Sequence, residues 1–242
     1  MMKMKRADMV LQERGFFESR AKARAALEAG LVRINGALVT KPATPVDGAA
    51  QIIASAPHPW VSRGGVKLDH ALSHFAVDPS GRYCLDVGAS TGGFTDVLLA
   101  RNARHVVAVD VGRDQLHQRL RVDPRVTSLE GQDIRTLAPA RLAELPSLVV
   151  VDASFIALAS LLAPIASLAA GDAELVGLIK PQFEAGRGVT KKGIVRDEKI
   201  HSEVCARVVD ALSALGWRVS DVIASPISGG DGNREFLVHA AR

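Results

Sequence analysis

Two lysines and two acidic residues stand where an α/β sheet would offer side chains to a ligand. Lys180 follows the apolar run Leu175–Ile179 and is held in Ile179-Lys180-Pro181-Gln182-Phe183-Glu184. Asp152 closes Val149-Val150-Val151 in the same way. Glu235 lies in Gly232-Asn233-Arg234-Glu235-Phe236 at the head of the final apolar run, and Lys67 follows Ser62-Arg63-Gly64-Gly65-Val66. Two ammonium groups brought close together each favour the other's neutral form, which would let one of them take a proton near neutral pH. Taken singly, Lys67 reads equally well as a solvated helix lysine.

A glycine-rich turn supplies the second piece of chemistry. The run Tyr83–Val87 leads into Asp86-Val87-Gly88-Ala89-Ser90-Thr91-Gly92-Gly93-Phe94 and then into a helical stretch through Ala100. Glycines there let the backbone approach a ligand at the carboxyl edge of a sheet. The spacing selects among ligands. A dinucleotide fingerprint needs G-x-G-x-x-G, but position 90 is Ser and the glycines are Gly88, Gly92 and Gly93; no Gly-Lys-Ser/Thr of a P-loop follows either. Asp86 ahead of the turn suits a cationic amino group. Asp110, 22 residues after Gly88, ends the next run, where a carboxylate can accept from ribose hydroxyls. Asp133, in Glu130-Gly131-Gln132-Asp133-Ile134, ends the third and can reach an adenine amino group. Three carboxylates at three successive strand ends fit S-adenosylmethionine, an amino acid joined to adenosine without phosphate. Each Asp alone is also an ordinary helix cap or turn residue.

The elements that must position these groups are legible as a change of rhythm. Before residue 59, Ala7 to Arg14 reads as a short helix, and Ser19 caps a second one through Ala29, with Gly30 at its carboxyl end. Leu31–Val39 then alternates around Asn35-Gly36, a strong hairpin signal. Ser55-Ala56-Pro57-His58-Pro59-Trp60 reads as a linker, since its prolines exclude a helix. Beyond Arg63, apolar runs at Tyr83–Val87, His105–Val109, Val126–Leu129, Leu148–Val151, Leu175–Ile179, Arg218–Ile223 and Glu235–His239 alternate with helical stretches. That pattern predicts a doubly wound, mostly parallel sheet covered on both faces. The last two runs leave no room for a crossover helix and are expected to pair antiparallel. The expected division is 1–58 as a small α+β domain, 59–64 as linker and 65–242 as the α/β domain.

Charge divides at the same place. Residues up to 60 hold nine basic side chains and five acidic ones, 9 − 5 = +4, and the remaining 182 residues hold 30 − 9 = 21 basic and 26 − 5 = 21 acidic ones. The first quarter of the chain thus carries the whole net charge, as a nucleic-acid docking module would. The basic amino terminus is followed by no apolar run of signal-peptide length, and Cys84 and Cys205 lie 121 positions apart in apolar segments without ligand spacing. Both read as reduced core residues of a cytoplasmic protein without a metal site. Ala153–Gly171 is uncharged for 19 residues, close to the length of a membrane span. Pro164, three serines and a stripe of Leu158, Leu161, Leu162, Ile165 and Leu168 are better explained by a helix packed on a sheet.

Lys67, Asp152, Lys180 and Glu235 together resemble the Lys-Asp-Lys-Glu tetrad of the FtsJ-related ribose 2′-O-methyltransferases. With the basic module, the whole chain resembles the TlyA family, long labelled hemolysin A. The resemblance rests on Ser62–Leu68, Asp86–Asp96, Asp152–Ile156 and Lys180–Glu184. It implies a Rossmann-like class I methyltransferase sheet with its last strand antiparallel, behind an RNA-binding domain like that of small-subunit ribosomal protein S4. It implies methyl transfer from S-adenosylmethionine to a cytidine ribose 2′-hydroxyl of ribosomal RNA within ribosomal subunits. Lys180 would then be the base, Asp152 its orienting partner, and Lys67 and Glu235 would position the ribose. Asp86, Gly88, Ser90, Gly92, Gly93, Phe94, Asp110 and Asp133 would hold the cofactor, and Arg20, Lys22, Arg24 and Arg33 would hold RNA phosphates. Trp60 would couple RNA docking to the cofactor site, or else be buried beneath the module. Two other classes compete: a non-catalytic RNA-binding protein, and a membrane-lytic protein resting on Ala153–Gly171.

Overall fold

A computed structural model describes residues 4–186, 193–229 and 231–242, so the first three residues of the basic amino terminus lie outside the described residues. The chain falls into two compact units, Met1–Pro59 and Trp60–Arg242.

In the first unit a short strand β1 (Lys5–Arg6) precedes helices α1 (Ala7–Glu13) and α2 (Arg20–Glu28). Ser19 caps α2 by accepting from the Lys22 amide, as its residue type predicts. Strands β2 (Val32–Ile34) and β3 (Ala37–Leu38) form the expected hairpin, whose turn places Asn35 and Gly36 at φ of 50° and 80°. Strand β4 (Pro45–Val46) pairs with β1, and β5 (Ile52–Ala54) completes a three-stranded sheet with β2 at its centre. Leu11, Leu27, Ala23, Ala26 and Val32 form its small core.

The second unit opens with helix α3 (Gly64–His74) and then alternates: β6 (Tyr83–Val87), α4 (Gly93–Ala100), β7 (His105–Asp110), α5 (Gln118–Arg121), β8 (Val126–Glu130) and β9 (Leu148–Val151). It continues with α6 (Leu162–Leu168), β10 (Glu174–Ile179), α7 (Pro181–Glu184), α8 (Glu198–Ala214), β11 (Arg218–Ala224) and β12 (Phe236–Ala241). The strands form one seven-stranded sheet, β11-β12-β10-β9-β6-β7-β8. Strand β12 runs antiparallel to both neighbours, as the short β11 to β12 connection requires, and the other described pairings are parallel.

Burial on both faces explains the near-continuous apolar runs. Leu85, Val107, Val149 and Leu175 pack toward α6 and α8, while Cys84, Val106, Val150 and Val176 pack toward α3 and α4. The uncharged stretch after Asp152 becomes a 3₁₀ turn at Leu158–Ser160 followed by the seven-residue α6, with Leu158, Leu161, Leu162, Ile165 and Leu168 all buried. No described helix is long and apolar enough to cross a membrane. The chain order reverses between β6 and β9, which opens a crevice at the carboxyl edge of the sheet.

Candidate active site

The turn after β6 is shaped by contacts that only glycine permits. Gly88 has φ +81°, and a Cβ there would lie 2.8 Å from the Asp152 carbonyl oxygen. The β6 turn and the end of β9 are therefore in backbone contact. A Cβ on Gly93 would sit 2.9 Å from the Gly65 amide nitrogen, so α4 starts directly against the start of α3. Gly65 in turn accommodates Trp60, whose Cγ would be 2.4 Å from an added Cβ. Trp60 thus packs on Gly65 inside the larger unit.

Two cavities open at this edge. The larger, about 610 Å³, is lined by Gly88, Ser90, Asp110 and Asp133 among others. The smaller, about 280 Å³, is lined by Arg63, Lys67, Gly93 and Phe94 among others. Gly88, Ser90, Asp152 and Ser154 belong to both walls.

The four tetrad residues assemble as two ion pairs. Lys67 Nζ donates to Glu235 Oε2 at 2.5 Å, and Lys180 Nζ lies 2.6 Å from Asp152 Oδ1. Lys67, Lys180 and Glu235 are 8%, 7% and 3% exposed. Each lysine is therefore matched by a carboxylate, which replaces the picture of two lysines acting on one another. Burial without pairing would be costly for any of the four. Lys67 and Asp152 reach the smaller cavity directly; Lys180 stands behind Asp152 and also donates to Ser154 Oγ at 2.7 Å. Ser154 was not singled out from the sequence, where a serine beside Asp152 carries no signal of its own.

The three strand-end carboxylates meet different fates. Asp110 lines the larger cavity while Oδ2 accepts from the Ser90 amide at 2.8 Å and Oδ1 from the Gly112 amide at 2.7 Å. Ser90 is held at φ +47° by this contact. Asp133 also lines the larger cavity, yet it caps the turn Ile134–Thr136 and is paired with Arg135 at 2.6 Å, which holds its carboxyl below the usual range. Asp86 departs from expectation. Strand alternation turns it to the α3 and α4 face, where it is 0% exposed and accepts from Thr95 Oγ1 at 2.6 Å, away from both cavity walls. Its Oδ1 has no hydrogen-bond partner among the described residues. Burial, reinforced by Asp152 and Asp110, pushes its carboxyl up to about 7 against the Thr95 hydrogen bond. Gly92, at φ +93°, faces Leu120 and Leu116 and shapes the turn without reaching either cavity.

Asp96 is a further group that sequence reading passed over. It is 8% exposed, accepts from the Val61 amide at 2.8 Å and is paired with Arg119. It thereby pins the segment after Trp60 to α4. An aspartate inside the apolar run Gly93–Ala100 was the available clue.

Of the four basic residues expected to meet RNA, Arg20, Arg24 and Arg33 are exposed and Lys22 is half-buried, and all four are engaged. Arg20 pairs with Asp8 at 2.9 Å, Lys22 with Glu18 at 2.6 Å and Arg24 with Glu28 at 2.7 Å, while Arg33 donates to the Gly36 carbonyl at 3.2 Å. Asp8 is 3% exposed and also binds Arg6, whose hydrogen bonds hold its carboxyl down at about 2.

Residues 60–242 match the model of the FtsJ-like methyltransferases, and residues 5–52 match the S4 domain. The chain is 45% identical to the 16S/23S rRNA (cytidine-2′-O)-methyltransferase TlyA of Mycobacterium tuberculosis over 96% of its own length and 88% of that protein's. A solved structure from Streptococcus thermophilus, described as a hemolysin, superposes with a TM-score of 0.79 at 40% identity, covering 100% of this chain and 90% of that one. An S-adenosylmethionine dependent methyltransferase from Listeria monocytogenes shares the sheet fold at 15% identity and a TM-score of 0.55, over 75% of this chain and 99% of that one. A glycine turn built for backbone contact, two paired lysines at a sheet edge and full-length similarity of this order lead to one assignment: the chain belongs to the TlyA branch of the FtsJ-like methyltransferases, with an S4 domain ahead of the methyltransferase domain.

Proposed function

We propose that this protein methylates a cytidine ribose 2′-hydroxyl of ribosomal RNA, using S-adenosylmethionine, with the unit Met1–Pro59 docking RNA and the unit Trp60–Arg242, into which most of the expected 59–64 linker is packed, transferring the methyl group. The observation that carries the reading is the pair of adjoining cavities with Asp152 in their common wall, Lys180 paired to it from behind, and Lys67, paired with Glu235, lining the smaller cavity. The larger cavity suits the cofactor. Gly88, Ser90 and Asp110 would hold it, the glycine and serine because the turn they form lines the cavity, the aspartate because it ends β7 there. Asp133 would contribute from the far wall through the face that Arg135 leaves open. Asp86, enclosed beneath the turn, would act through its field on a cationic ligand, and Phe94 and Gly93 would wall the smaller cavity beside the ribose.

When bound, the cofactor supplies an electrophilic methyl carbon. A ribose hydroxyl attacks such a carbon poorly until its proton is withdrawn. To act as base Lys180 would first release its own ammonium proton to solvent and then take the hydroxyl proton at Nζ, with Asp152, 2.6 Å away, stabilising the ammonium that results. Lys67, fixed by Glu235, would hold the ribose from the opposite side, because in-line transfer depends on position. Incubating the full chain with ribosomal subunits lacking 2′-O-methyl groups and with labelled S-adenosylmethionine should place label at a cytidine ribose. Lys180→Ala should lower the rate at least ~100-fold, the scale of a general base. Unlabelled RNA with the unaltered chain, or full label with Lys180→Ala, would overturn the reading.

A further inference from the structure

Lys180 has a second polar partner outside the tetrad, and hydrogen-bond bookkeeping gives that partner a task. A lysine ammonium carries three N–H donors on a flexible stem and has no preferred direction of its own. Asp152 Oδ1 lies 2.6 Å from Nζ as an ion-pair partner but accepts no hydrogen bond among the described residues, whereas Ser154 Oγ accepts from Nζ at 2.7 Å. Asp152 and Ser154 sit two residues apart on the segment leaving β9, and both belong to the wall common to the two cavities. The carboxylate thus supplies charge beside the nitrogen, and the serine supplies its directed hydrogen bond. Lys180 itself is 7% exposed, so its stem is already constrained by packing. Ser154 is exposed and packs into no core, so burial does not account for its side chain.

We propose that Ser154 is a positioning residue for the transfer reaction: its hydroxyl holds Lys180 Nζ against the common wall, so that the remaining nitrogen position faces the ribose hydroxyl. The inference rests on the function proposed above. A carboxylate alone would let Nζ swing about the Asp152 oxygen, and a displacement of about 1 Å at a reacting centre costs on the order of 100-fold in rate. The Ser154 hydroxyl can accept from Nζ while it keeps its own proton to donate, so it fixes direction without adding charge.

The test compares Ser154→Ala with Ser154→Thr. Alanine removes the acceptor and threonine keeps it. Methylation of ribosomal subunits is measured for kcat and for KM toward RNA, and cofactor affinity is measured separately by titrating S-adenosylhomocysteine. Ser154→Ala should lower kcat about 10- to 100-fold, with KM and cofactor affinity within about twofold of the unaltered chain, and Ser154→Thr should restore most of the rate. Unchanged kcat in Ser154→Ala would overturn the inference, as would a loss confined to cofactor affinity or an equal loss in Ser154→Thr. If the unaltered chain fails to methylate any subunit RNA, it is the underlying function that fails. An active unaltered chain with an indifferent Ser154→Ala removes only the positioning role.

Discussion

Asp86 shows how a single residue type can carry a right alignment and a wrong contact. Its place before the glycine turn matches a cofactor carboxylate, but strand alternation turns it inward beneath α4. A carboxyl raised to about 7 from an ordinary value near 3.8 binds its proton more tightly in the folded chain than in the unfolded one. Its contribution to stability is complete below about pH 4 and is lost as pH rises to about 7, a swing of up to ~4 kcal/mol for about three units. Asp86→Asn keeps an oxygen for Thr95 and abolishes the titration. In urea unfolding, the variant should match the unaltered chain at pH 4 and exceed it by ~1–3 kcal/mol at pH 8. A pH-independent difference would show that Asp86 does not titrate across this range. The same substitution removes a charge close to Asp152 and Asp110, so stability and cofactor affinity should move in opposite directions.

Among the elements, the glycine turn is what joins strand ends into a site. Gly88 and Gly216 have nearly the same positive φ, +81° and +82°, but a Cβ at Gly216 meets nothing within 4 Å while one at Gly88 meets the Asp152 backbone. Gly216→Ala should cost ~1 kcal/mol for the left-handed conformation alone. Gly88→Ala should cost at least ~1 kcal/mol more, because neither backbone segment can yield cheaply, and should depress methylation by shifting Asp152. Denaturant unfolding of both variants separates conformational strain from close approach; equal costs would refute the contact. The spacing of glycines in the sequence marked the turn, but only the packing of β6 against β9 shows which glycine faces backbone, which faces α3 and which faces the Leu116 and Leu120 side chains.

At the scale of the whole molecule, the first quarter carries the +4, and three of the basic residues expected to meet RNA, Arg20, Lys22 and Arg24, are already paired with carboxylates. Arg20 is unsuitable as a probe of RNA contact, since removing it strips a partner from the buried Asp8. Arg24 is suitable: its exposed pair with Glu28 is worth only ~0.3–0.5 kcal/mol. Arg24→Ala should leave the unfolding midpoint nearly unchanged, weaken binding to ribosomal subunits and reduce the slope of log affinity against log salt by about 1. An unchanged slope would mean that Arg24 touches no phosphate.

The sequence by itself determined the succession of the seven strands of the larger sheet, the antiparallel closing strand, the helix cap at Ser19, the Asn-Gly hairpin and the set of four residues that carry the family resemblance, but not the strands β1, β4 and β5 of the first unit. These follow from local chemistry: alternation, turn conformations and apolar runs are properties of neighbours along the chain. Only the tertiary structure decided which charges meet. Lys67 and Glu235 are 168 positions apart, Lys180 and Asp152 are joined across β10 and β9, and Asp86 is turned away from the cavities that its neighbours line. The physical reason is that a charge is defined by its surroundings. Burial, partner and direction arise when strands distant in sequence become adjacent in the sheet, and no spacing along the chain encodes them.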